Sequence, residues 1–366
     1  TDVLHLPLVL YQWRSHPEST AGAEGGEAKP YSRVNGMRAV TEAAARHGRE
    51  VEVDIDPFTD HYRLQWALPD PLPKVSVVIP TKDQPDLLLG CIASIFARST
   101  YADLELVLVD NGSTDRRTLA LYESLADSEH DVKVVFDSGY FNFARLNNVG
   151  AAAASGEYLV LLNNDTEVVA PDWLEQLLMY AQFDDVGVVG AKLLYPDRRI
   201  QHAGIVGVGA HIADHTAATI PDHEHFLMDL PHVVHEAIAV TGAALMVRAA
   251  TYREAGGLDE HFVPNGYGDV DFCLRLREQG KAVLYTPYAV LIHHESVSRR
   301  RNVELSENQY MRQRWGSQLL NDPFLNPNLI RGGQYVQDTA LMQPEIDSDT
   351  FSAWLAAGAI GGPGEG

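Results

Sequence analysis

The sequence has few cysteines, few basic residues and no long apolar run. Its two cysteines, Cys91 and Cys273, are too few for a disulfide framework or a thiolate zinc site, and they suit a reducing compartment. No run approaches the roughly 20 apolar residues that a membrane helix needs. Lys and Arg number 28 against 50 Asp and Glu, which gives a formal net charge of −22. Because nucleic acids are bound by neutralising their phosphates with Lys and Arg, this charge excludes a nucleic-acid-binding protein.

What the sequence does contain is enough apolar material for a large core. Hydrophobic residues make up 45% of the 366 residues, so we expect one large domain with appendages. An anionic ligand of such an acidic protein would have to be held locally, by a metal ion, a helix N-terminus or a few arginines. The chain begins at Thr1 rather than Met, which suggests a piece of a longer protein.

From residue 74 onward, short apolar runs alternate with segments of helical spacing. The runs predicted as strands are Val75–Ile79, Leu104–Val109, Val132–Phe136 and Tyr158–Leu162, and the segment Thr114–Leu125 between two of them is predicted as a helix. This alternation predicts an α/β fold with right-handed crossovers and a mostly parallel sheet that is covered on both faces. Ligands of such sheets bind beyond the carboxyl ends of the strands.

Polar side chains follow three of the predicted strands at those carboxyl ends. The first strand leads into Pro80-Thr-Lys-Asp83, the second into Asp110-Asn-Gly-Ser-Thr-Asp115 and the fourth into Asn163-Asn-Asp-Thr-Glu167. Since the carboxyl ends of parallel strands meet at one edge, we expect carboxylates and amides to converge there.

Five motifs in order carry a family resemblance. They are Val75–Thr81, Val109–Asp115, Leu161–Asp165, Asp269–Arg275 and His293–Ser296. Together they resemble the family 2 glycosyltransferases of the GT-A fold, particularly the bacterial members that build O-antigens and other surface polysaccharides. The resemblance implies a GT-A domain over residues 74–300. Residues 1–73 would be an N-terminal subdomain or linker, or the end of a preceding domain, and residues 301–366 a C-terminal helical extension with a flexible tail.

The resemblance also implies a set of residues for the nucleotide-sugar donor. They are Pro80, Thr81, Asp83, Asp110, Asn142, Arg145, Asn163, Asn164 and Asp165. The family places an aspartate like Asp110 against the uracil or thymine ring, but an Asx turn that closes the strand is the alternative for this residue. Asp83 can also be a helix-start residue, and Asn142 a turn or capping residue.

A divalent metal ion, Mg²⁺ or Mn²⁺, is implied at Asn163-Asn-Asp165, which stands where the family has an Asp-any-Asp motif. Such ions prefer oxygen ligands. Because Asn163 replaces the first carboxylate, we expect Asp165 to be the principal ligand, with His293 as the second. His294 is the alternative to His293, since adjacent residues of an extended segment face opposite ways.

The resemblance assigns catalysis to Asp269, because sugar transfer to an alcohol requires a base that can take the hydroxyl proton. A helix N-cap is the alternative for this residue. Gly268 replaces the first acid of the family's pair. Asp271 is predicted to orient the loop or to bind the acceptor, and it is the substitute candidate for the base. Thr241 and Gly242 are predicted to lie near the donor sugar and the acceptor.

One further motif is independent of the family. His211 and His215 have the i, i+4 spacing of a helical zinc site, but no Glu follows the first His and no helical pattern surrounds them, so a zinc enzyme is disfavoured.

The sequence thus predicts an inverting, metal-dependent glycosyltransferase that moves a sugar from a UDP- or dTDP-sugar to a hydroxyl of a growing glycan, free or lipid-linked. The predicted location is the cytoplasm, either free or peripheral at the inner face of the membrane, and further glycosyltransferase domains of the same polypeptide are predicted partners. One alternative is a sugar nucleotidyltransferase, although the segment Pro80–Gln84 lacks the glycine-rich phosphate loop expected of it. The other is a non-catalytic carbohydrate-binding GT-A domain, which the departures at Asn163 and Gly268 would explain.

Overall fold

A ten-stranded sheet flanked by helices is the centre of the fold in the computed structural model, which describes residues 30–209, 212–294, 305–325, 330–331 and 334–335. The strands are β1 (Val51–Ile55), β2 (Tyr62–Trp66), β3 (Val75–Thr81), β4 (Leu104–Asp110), β5 (Asp131–Phe136), β6 (Tyr158–Leu162), β7 (Thr166–Val168), β8 (Val186–Leu194), β9 (Ile200–His202), β10 (Ile205–Gly209), β11 (Ile212–His215), β12 (His235–Glu236), β13 (Ala244–Arg248), β14 (Ala282–His293), β15 (Ile330–Arg331) and β16 (Gln334–Tyr335). The helices are α1 (Pro30–Arg46), α2 (Pro85–Arg98), α3 (Arg116–Ala126), α4 (Phe143–Ala153), α5 (Trp173–Ala181), α6 (Ala249–Glu254), α7 (Gly268–Glu278) and α8 (Leu305–Leu320).

The large sheet is mixed rather than mostly parallel. Its order is β12-β14-β8-β13-β6-β3-β4-β5, with β7 also paired to β14 and β9 to β8. The predicted parallel pairing holds for β6, β3, β4 and β5, and β14 is parallel to β8. Strand β13, however, runs antiparallel to both β6 and β8. The apolar pattern predicts that a segment is a buried strand, but it contains no information on direction after a long connection such as 216–234.

The core lies between the sheet and its helices. Every residue of β3 is buried, and α2 covers the sheet with Leu88, Cys91, Ile92 and Ile95. A strand that is apolar on both faces is what a sheet covered by helices requires. The core therefore holds the carboxyl ends of β3, β4 and β6 rigidly at one edge.

Two separate apolar runs of the sequence before His293 form a single strand. The apolar runs 282–285 and 289–292 both lie in β14, whose pairing with β8 shifts register between Thr286 and Val290. Pro287 lies inside the shift, and a proline has no backbone N–H for a ladder hydrogen bond. The interruption in the sequence pattern is thus an irregularity within one strand.

Two smaller parts complete the description. Helix α1 and the β1–β2 hairpin share a small core around Ala44, Val51 and Val53. Helix α8 buries Met311, Trp315 and Leu319 along one stripe. None of the helices in the described ranges is long and apolar enough to cross a bilayer. Ser296 of the last motif, His211 and the predicted tail after residue 335 lie outside the described residues.

Candidate active site

A cavity of about 670 Å³ lies at the carboxyl ends of β3 and β6. This volume is in the range of small-molecule sites. It is lined by Pro80, Thr81, Lys82, Asp83, Gln84, Leu87, Asn111, Phe141, Phe143, Leu146, Asn163, Asn164, Asp165, Leu193, Tyr195, Gln201, Asp214, His215, Ala218, Thr219, Thr241, Ala243 and His293. The predicted residues that meet here are Pro80, Thr81, Asp83, Asn163, Asn164, Asp165, Thr241 and His293.

The loop after β3 forms one wall of this cavity. Asn164 Nδ2 donates a hydrogen bond to Thr81 Oγ1 at 3.1 Å, which joins the ends of β3 and β6. Asp83 Oδ1 accepts hydrogen bonds from the backbone N–H groups of Thr114 and Asp115, at 2.7 and 2.8 Å. Asp83 therefore lines the cavity and also fixes the loop that follows β4.

Asp110 lies behind the cavity rather than in its lining. Its Oδ1 accepts hydrogen bonds from the N–H groups of Gly112 and Ser113, both at 2.9 Å, and its Oδ2 accepts one from the Tyr122 hydroxyl at 2.8 Å. Burial and this last bond raise the pKa of Tyr122, so the phenol remains a donor. The geometry is that of the Asx turn considered as the alternative for Asp110.

Asn142 and Arg145 are also absent from the cavity lining. Asn142 caps α4, because its Oδ1 accepts the Arg145 N–H at 2.9 Å. The Arg145 guanidinium donates to Asp137 Oδ1 at 2.8 Å and to the Tyr140 carbonyl at 2.9 Å. The structure thus places both side chains in the support of the 137–143 loop, and their contact with a donor stays a prediction.

Asp165 and His293 converge from β6 and β14. His293 Nε2 lies 3.1 Å from Asp165 Oδ1 and 3.2 Å from Asn163 Nδ2. Its Nδ1 lies 2.6 Å from Gln201 Oε1, which can only accept a hydrogen bond. His293 therefore carries a proton on Nδ1, and in the neutral ring the Nε2 lone pair faces Asp165 and Asn163.

This pair fits a divalent ion that also binds substrate phosphates. A carboxylate oxygen and an imidazole lone pair point to the same place, and Mg²⁺ typically takes one or two carboxylates with the remaining positions filled by phosphates and water. A hydrogen bond to the other nitrogen of a histidine ligand is the usual support for metal ligation. The described residues contain no group of three or more His, Cys, Asp or Glu side chains that could hold a metal ion without a substrate.

The two candidate histidines are separated by the structure. His294 Nε2 lies 2.9 Å from Glu167 Oε1, outside the cavity lining, whereas His293 lines the cavity. Alternation along β14 explains why the two rings face opposite ways. Gln201, which orients His293, carries no motif. The sequence signal that could have indicated it is a polar pair, Gln201-His202, inside a short buried segment.

Asp269 lies in a smaller adjoining cavity of about 20 Å³. The two cavities share Phe143, Asn163, Thr241 and Ala243. Asp269 Oδ2 accepts the Gly242 N–H at 2.8 Å, and Oδ1 accepts the Val270 N–H at 2.9 Å. The N-cap of α7 is Tyr267, so Asp269 is not the cap that was considered as its alternative role. A glycine at position 268, where the family motif has an acid, also avoids a close contact. A Cβ there would lie 3.1 Å from the Val263 carbonyl oxygen.

The structure does not support the acceptor-binding role that the sequence predicts for Asp271. Its side chain is fully buried and lines neither cavity. Oδ2 accepts a hydrogen bond from Arg275 Nε at 2.7 Å, and Oδ1 accepts one from Trp315 Nε1 at 2.8 Å. Asp271 therefore anchors α8 to α7. The alternation of Asp269 and Asp271 in the motif could not show which acid faces the ligand.

The spacing of His211 and His215 does not correspond to a helical zinc site. Residues 212–215 form strand β11, and His215 Nδ1 contacts His202 Nδ1 at 2.8 Å. His211 lies outside the described residues.

Comparison with known proteins now gives the family. Residues 76–204 match the model of glycosyl transferase family 2. This segment is a family 2 glycosyltransferase domain. Two similar proteins are the O-antigen biosynthesis protein RfbC of Myxococcus xanthus, 38% identical over 89% of this chain and 25% of the relative, and the uncharacterized protein y4gI of Sinorhizobium fredii, 39% identical over 90% and 37%. The chain thus spans between a quarter and two fifths of these relatives.

Two solved structures confirm the predicted GT-A fold of this glycosyltransferase domain. GalNAc-T7 in complex with UDP, GalNAc and Mn²⁺ superposes with a TM-score of 0.53 over 77% of this chain and 56% of its own, at 16% identity. The mannosyltransferase PcManGT of Pyrobaculum calidifontis in complex with GDP-Man and Mn²⁺ gives 0.50 over 92% and 87%, also at 16%. At this identity the likeness concerns the fold alone.

Proposed function

We propose that this domain is a metal-dependent, inverting glycosyltransferase that moves a sugar from a UDP- or dTDP-sugar to a hydroxyl of a growing glycan. The observation that carries the proposal is the pair of adjoining cavities. Asp165 and His293 converge in the larger one, and Asp269 lies in the smaller one across the shared residues Asn163 and Thr241. Metal-dependent sugar transfer to an alcohol uses an ion beside the leaving diphosphate and a general base beside the acceptor hydroxyl, and the two cavities offer one place for each.

Asp165 and His293 would hold Mg²⁺ or Mn²⁺. When bound, the ion would neutralise the charge that develops on the leaving diphosphate. Pro80, Thr81 and Asp83 would form the wall beside the nucleotide, with Asn164 supporting Thr81. Contacts of Asp110, Asn142 or Arg145 with the donor remain part of the proposal, and they would require movement of side chains that do not line the cavity.

Asp269 would take the proton from the acceptor hydroxyl. Each of its carboxylate oxygens accepts one backbone N–H bond, which orients the group and leaves a further lone pair on each oxygen. The hydroxyl would attack the anomeric carbon from the face opposite the nucleotide and so invert its configuration.

The proposed acceptor is a bacterial surface glycan, free or lipid-linked, built at the cytoplasmic face of the membrane. The support is the name of the Myxococcus xanthus relative, an O-antigen biosynthesis protein. Because the chain covers 25% of that relative, further domains of the same polypeptide are proposed partners.

The test is an Asp269→Asn variant assayed with a panel of UDP- and dTDP-sugars in MnCl₂. We expect transfer or donor hydrolysis to fall by about 10²–10⁴-fold, the usual contribution of a general base. Calorimetry with UDP and dTDP should show nearly unchanged Mn²⁺-dependent binding. Asp127→Asn, at the C-cap of α3, is the matched control. Unchanged turnover of Asp269→Asn would show that Asp269 is not the general base. A wild-type chain without Mn²⁺-dependent nucleotide binding would instead indicate a non-catalytic domain.

A further inference from the structure

One wall of the larger cavity contains polar residues outside every family motif. We call it the hairpin wall, and it consists of Tyr195, Gln201, Asp214, His215 and Thr219. Asp214 and His215 are the last two residues of the β10–β11 hairpin.

This wall lies on the side of His293 away from the loop after β3. His293 Nδ1 contacts Gln201 of the hairpin wall, whereas its Nε2 faces Asp165 and Asn163. The neighbouring Asn164 contacts Thr81 of the opposite wall. In a donor, the diphosphate separates the nucleoside from the sugar. With the nucleoside beside Thr81 and the diphosphate at Asp165, the sugar would therefore lie against the hairpin wall.

The hairpin wall contains a histidine whose protonation is set by a second histidine. His202 Nδ1 and His215 Nδ1 are 2.8 Å apart, so one of them must carry the proton that joins them. His202 Nε2 accepts the Thr241 N–H at 3.4 Å. A neutral His202 therefore has its proton on Nδ1 and donates it to His215, and a neutral His215 has its own proton on Nε2.

His202 is suited to this role because it is buried and neutral. Its side chain has no exposed surface. Burial lowers the pKa of His202 well below its usual value, and the neighbouring His215, His235 and His293 act in the same direction. His202 thus links two residues of the cavity lining, Thr241 and His215, without adding charge.

We propose that His215 donates an Nε2–H hydrogen bond to a hydroxyl of the transferred sugar, and that His202 is the positioning residue that fixes His215 in this tautomer. The inference rests on the proposed function. Asp214 also lines the cavity, and its Oδ1 accepts the His215 backbone N–H at 2.8 Å. Thr241, which borders both cavities, is connected to His215 through His202.

The test compares two substitutions of His215 that separate the role of its Nδ1, which contacts His202, from the role of its Nε2, which would contact the sugar. In His215→Asn the amide replaces Nδ1 and keeps the contact with His202, but it cannot reach as far as Nε2. In His215→Gln the amide reaches the Nε2 position. The ligands are UDP or dTDP with MnCl₂, and the nucleotide-sugar of the UDP- and dTDP-hexose panel that the wild-type chain hydrolyses fastest. His130→Asn, at an exposed histidine on the loop after α3, is the control.

We expect His215→Asn to bind the nucleoside diphosphate within twofold of wild type and to show a KM for the nucleotide-sugar raised about tenfold, the loss of one hydrogen bond. The KM of His215→Gln for the nucleotide-sugar should stay within about threefold of the wild-type value. His202→Leu should raise the KM for the nucleotide-sugar as much as His215→Asn does. His202→Asn should have a KM close to that of the wild type, because its amide can still donate a hydrogen bond to His215.

The outcomes separate the two proposals. Equal KM values for wild type, His215→Asn and His215→Gln, with normal nucleoside diphosphate binding, would overturn the role of His215 and leave the proposed function intact. A parallel loss of nucleoside diphosphate binding in His215→Asn would also overturn it, because the effect would not be specific to the sugar. Absence of Mn²⁺-dependent binding in the wild type would overturn the proposed function and this inference with it.

Discussion

At residue 163 an amide stands beside His293 where the family motif has a carboxylate. Asn163 Nδ2 lies 3.2 Å from His293 Nε2, so this amide already faces the atoms that would hold the ion. Among residues of this cluster, Asp165 alone supplies a full negative charge. The affinity of such sites for divalent ions rises with the number of charged ligands. We therefore expect the metal affinity of the nucleotide-free chain to be weak because residue 163 is an amide.

The prediction is that Asn163→Asp raises the affinity of the nucleotide-free chain for Mn²⁺ by about tenfold, which corresponds to roughly 1.4 kcal/mol. Calorimetric titration with MnCl₂ measures it. Asn164→Asp is the matched control, because it adds the same charge to the adjacent residue, whose side chain faces Thr81 instead of His293. Equal affinity gains in both variants would mean that the effect is general electrostatics, and no gain in either would argue against an ion at Asp165.

The sequence was sufficient for those site residues that directly follow strands. Thr81, Asp83, Asn163 and Asp165 lie where strands of the predicted sheet end, and they meet in the cavity. Gln201, His202 and His215 could not be found in this way. Their approach to His293 and Thr241 depends on the pairing of β9 with β8 and on the β10–β11 hairpin, and no motif in the sequence marks these strands.

At the scale of elements, helix α8 supports the loop that leads to Asp269. The buried Glu307 Oε1 accepts the N–H groups of Asn265 and Gly266, at 2.9 and 3.1 Å. Asn265 Oδ1 in turn accepts the Phe143 N–H at the start of α4. A helix outside the strongest motifs thus sets the backbone on both sides of the smaller cavity.

We predict that Glu307→Ala lowers turnover by more than tenfold while UDP or dTDP binding with Mn²⁺ changes less than twofold. The substitution removes the acceptor of two partly buried N–H groups, at a cost of roughly 1–3 kcal/mol, and it releases the loop beside Asp269. Glu307→Gln keeps a carbonyl acceptor and should retain most of the activity. Single-turnover rates and calorimetry measure the two effects. If Glu307→Gln and Glu307→Ala reduced turnover equally, the effect of Glu307 on the loop would come from its negative charge rather than from these two hydrogen bonds.

Element types were more predictable than their arrangement. The strands Leu104–Asp110 and Tyr158–Leu162 are apolar runs flanked by polar turns, and the prediction agrees with the structure within one residue. The antiparallel direction of β13 was not predictable, since a buried strand has the same pattern in either direction. The apolar run that holds β13 begins at Val240, but the strand itself begins at Ala244, because Thr241–Ala243 lie at the cavities and the Gly242 N–H is bound to Asp269.

At the scale of the whole molecule, the chain has 50 acidic and 28 basic residues. With so many acidic groups, the carboxylates that are buried in the fold are important for how the free energy of unfolding changes at low pH. Glu105 on β4 has a fully buried side chain. It accepts hydrogen bonds from Lys133 Nζ at 2.5 Å and from the Ser155 N–H at 2.9 Å, and it also pairs with the Ser76 hydroxyl. Burial by itself would raise the pKa of Glu105, but these partners outweigh it and lower the pKa to about 2, from an ordinary value of 4.5.

The sign of the pH dependence follows from this shift. Between pH 4.5 and about 2 the unfolded chain binds a proton at Glu105 and the folded chain does not, so the free energy of unfolding rises with pH in this window. The contribution of Glu105 is fully present above pH 4.5 and is lost as the pH falls toward 2. We predict that the wild-type chain loses stability over this window more steeply than Glu105→Gln, and that Glu105→Gln is the less stable protein at pH 7.

Urea unfolding at pH 7, 4.5, 3.5 and 2.5 measures this difference. Glu123→Gln, at an exposed position of α3, is the control, and its profile should parallel that of the wild type. The net charge passes from strongly negative toward positive in the same window, but this change acts on all three proteins nearly equally and cancels when they are compared. Parallel profiles for wild type and Glu105→Gln would therefore mean that the acid sensitivity arises from the overall charge and not from the buried carboxylate that ties β4 to the segments beside it.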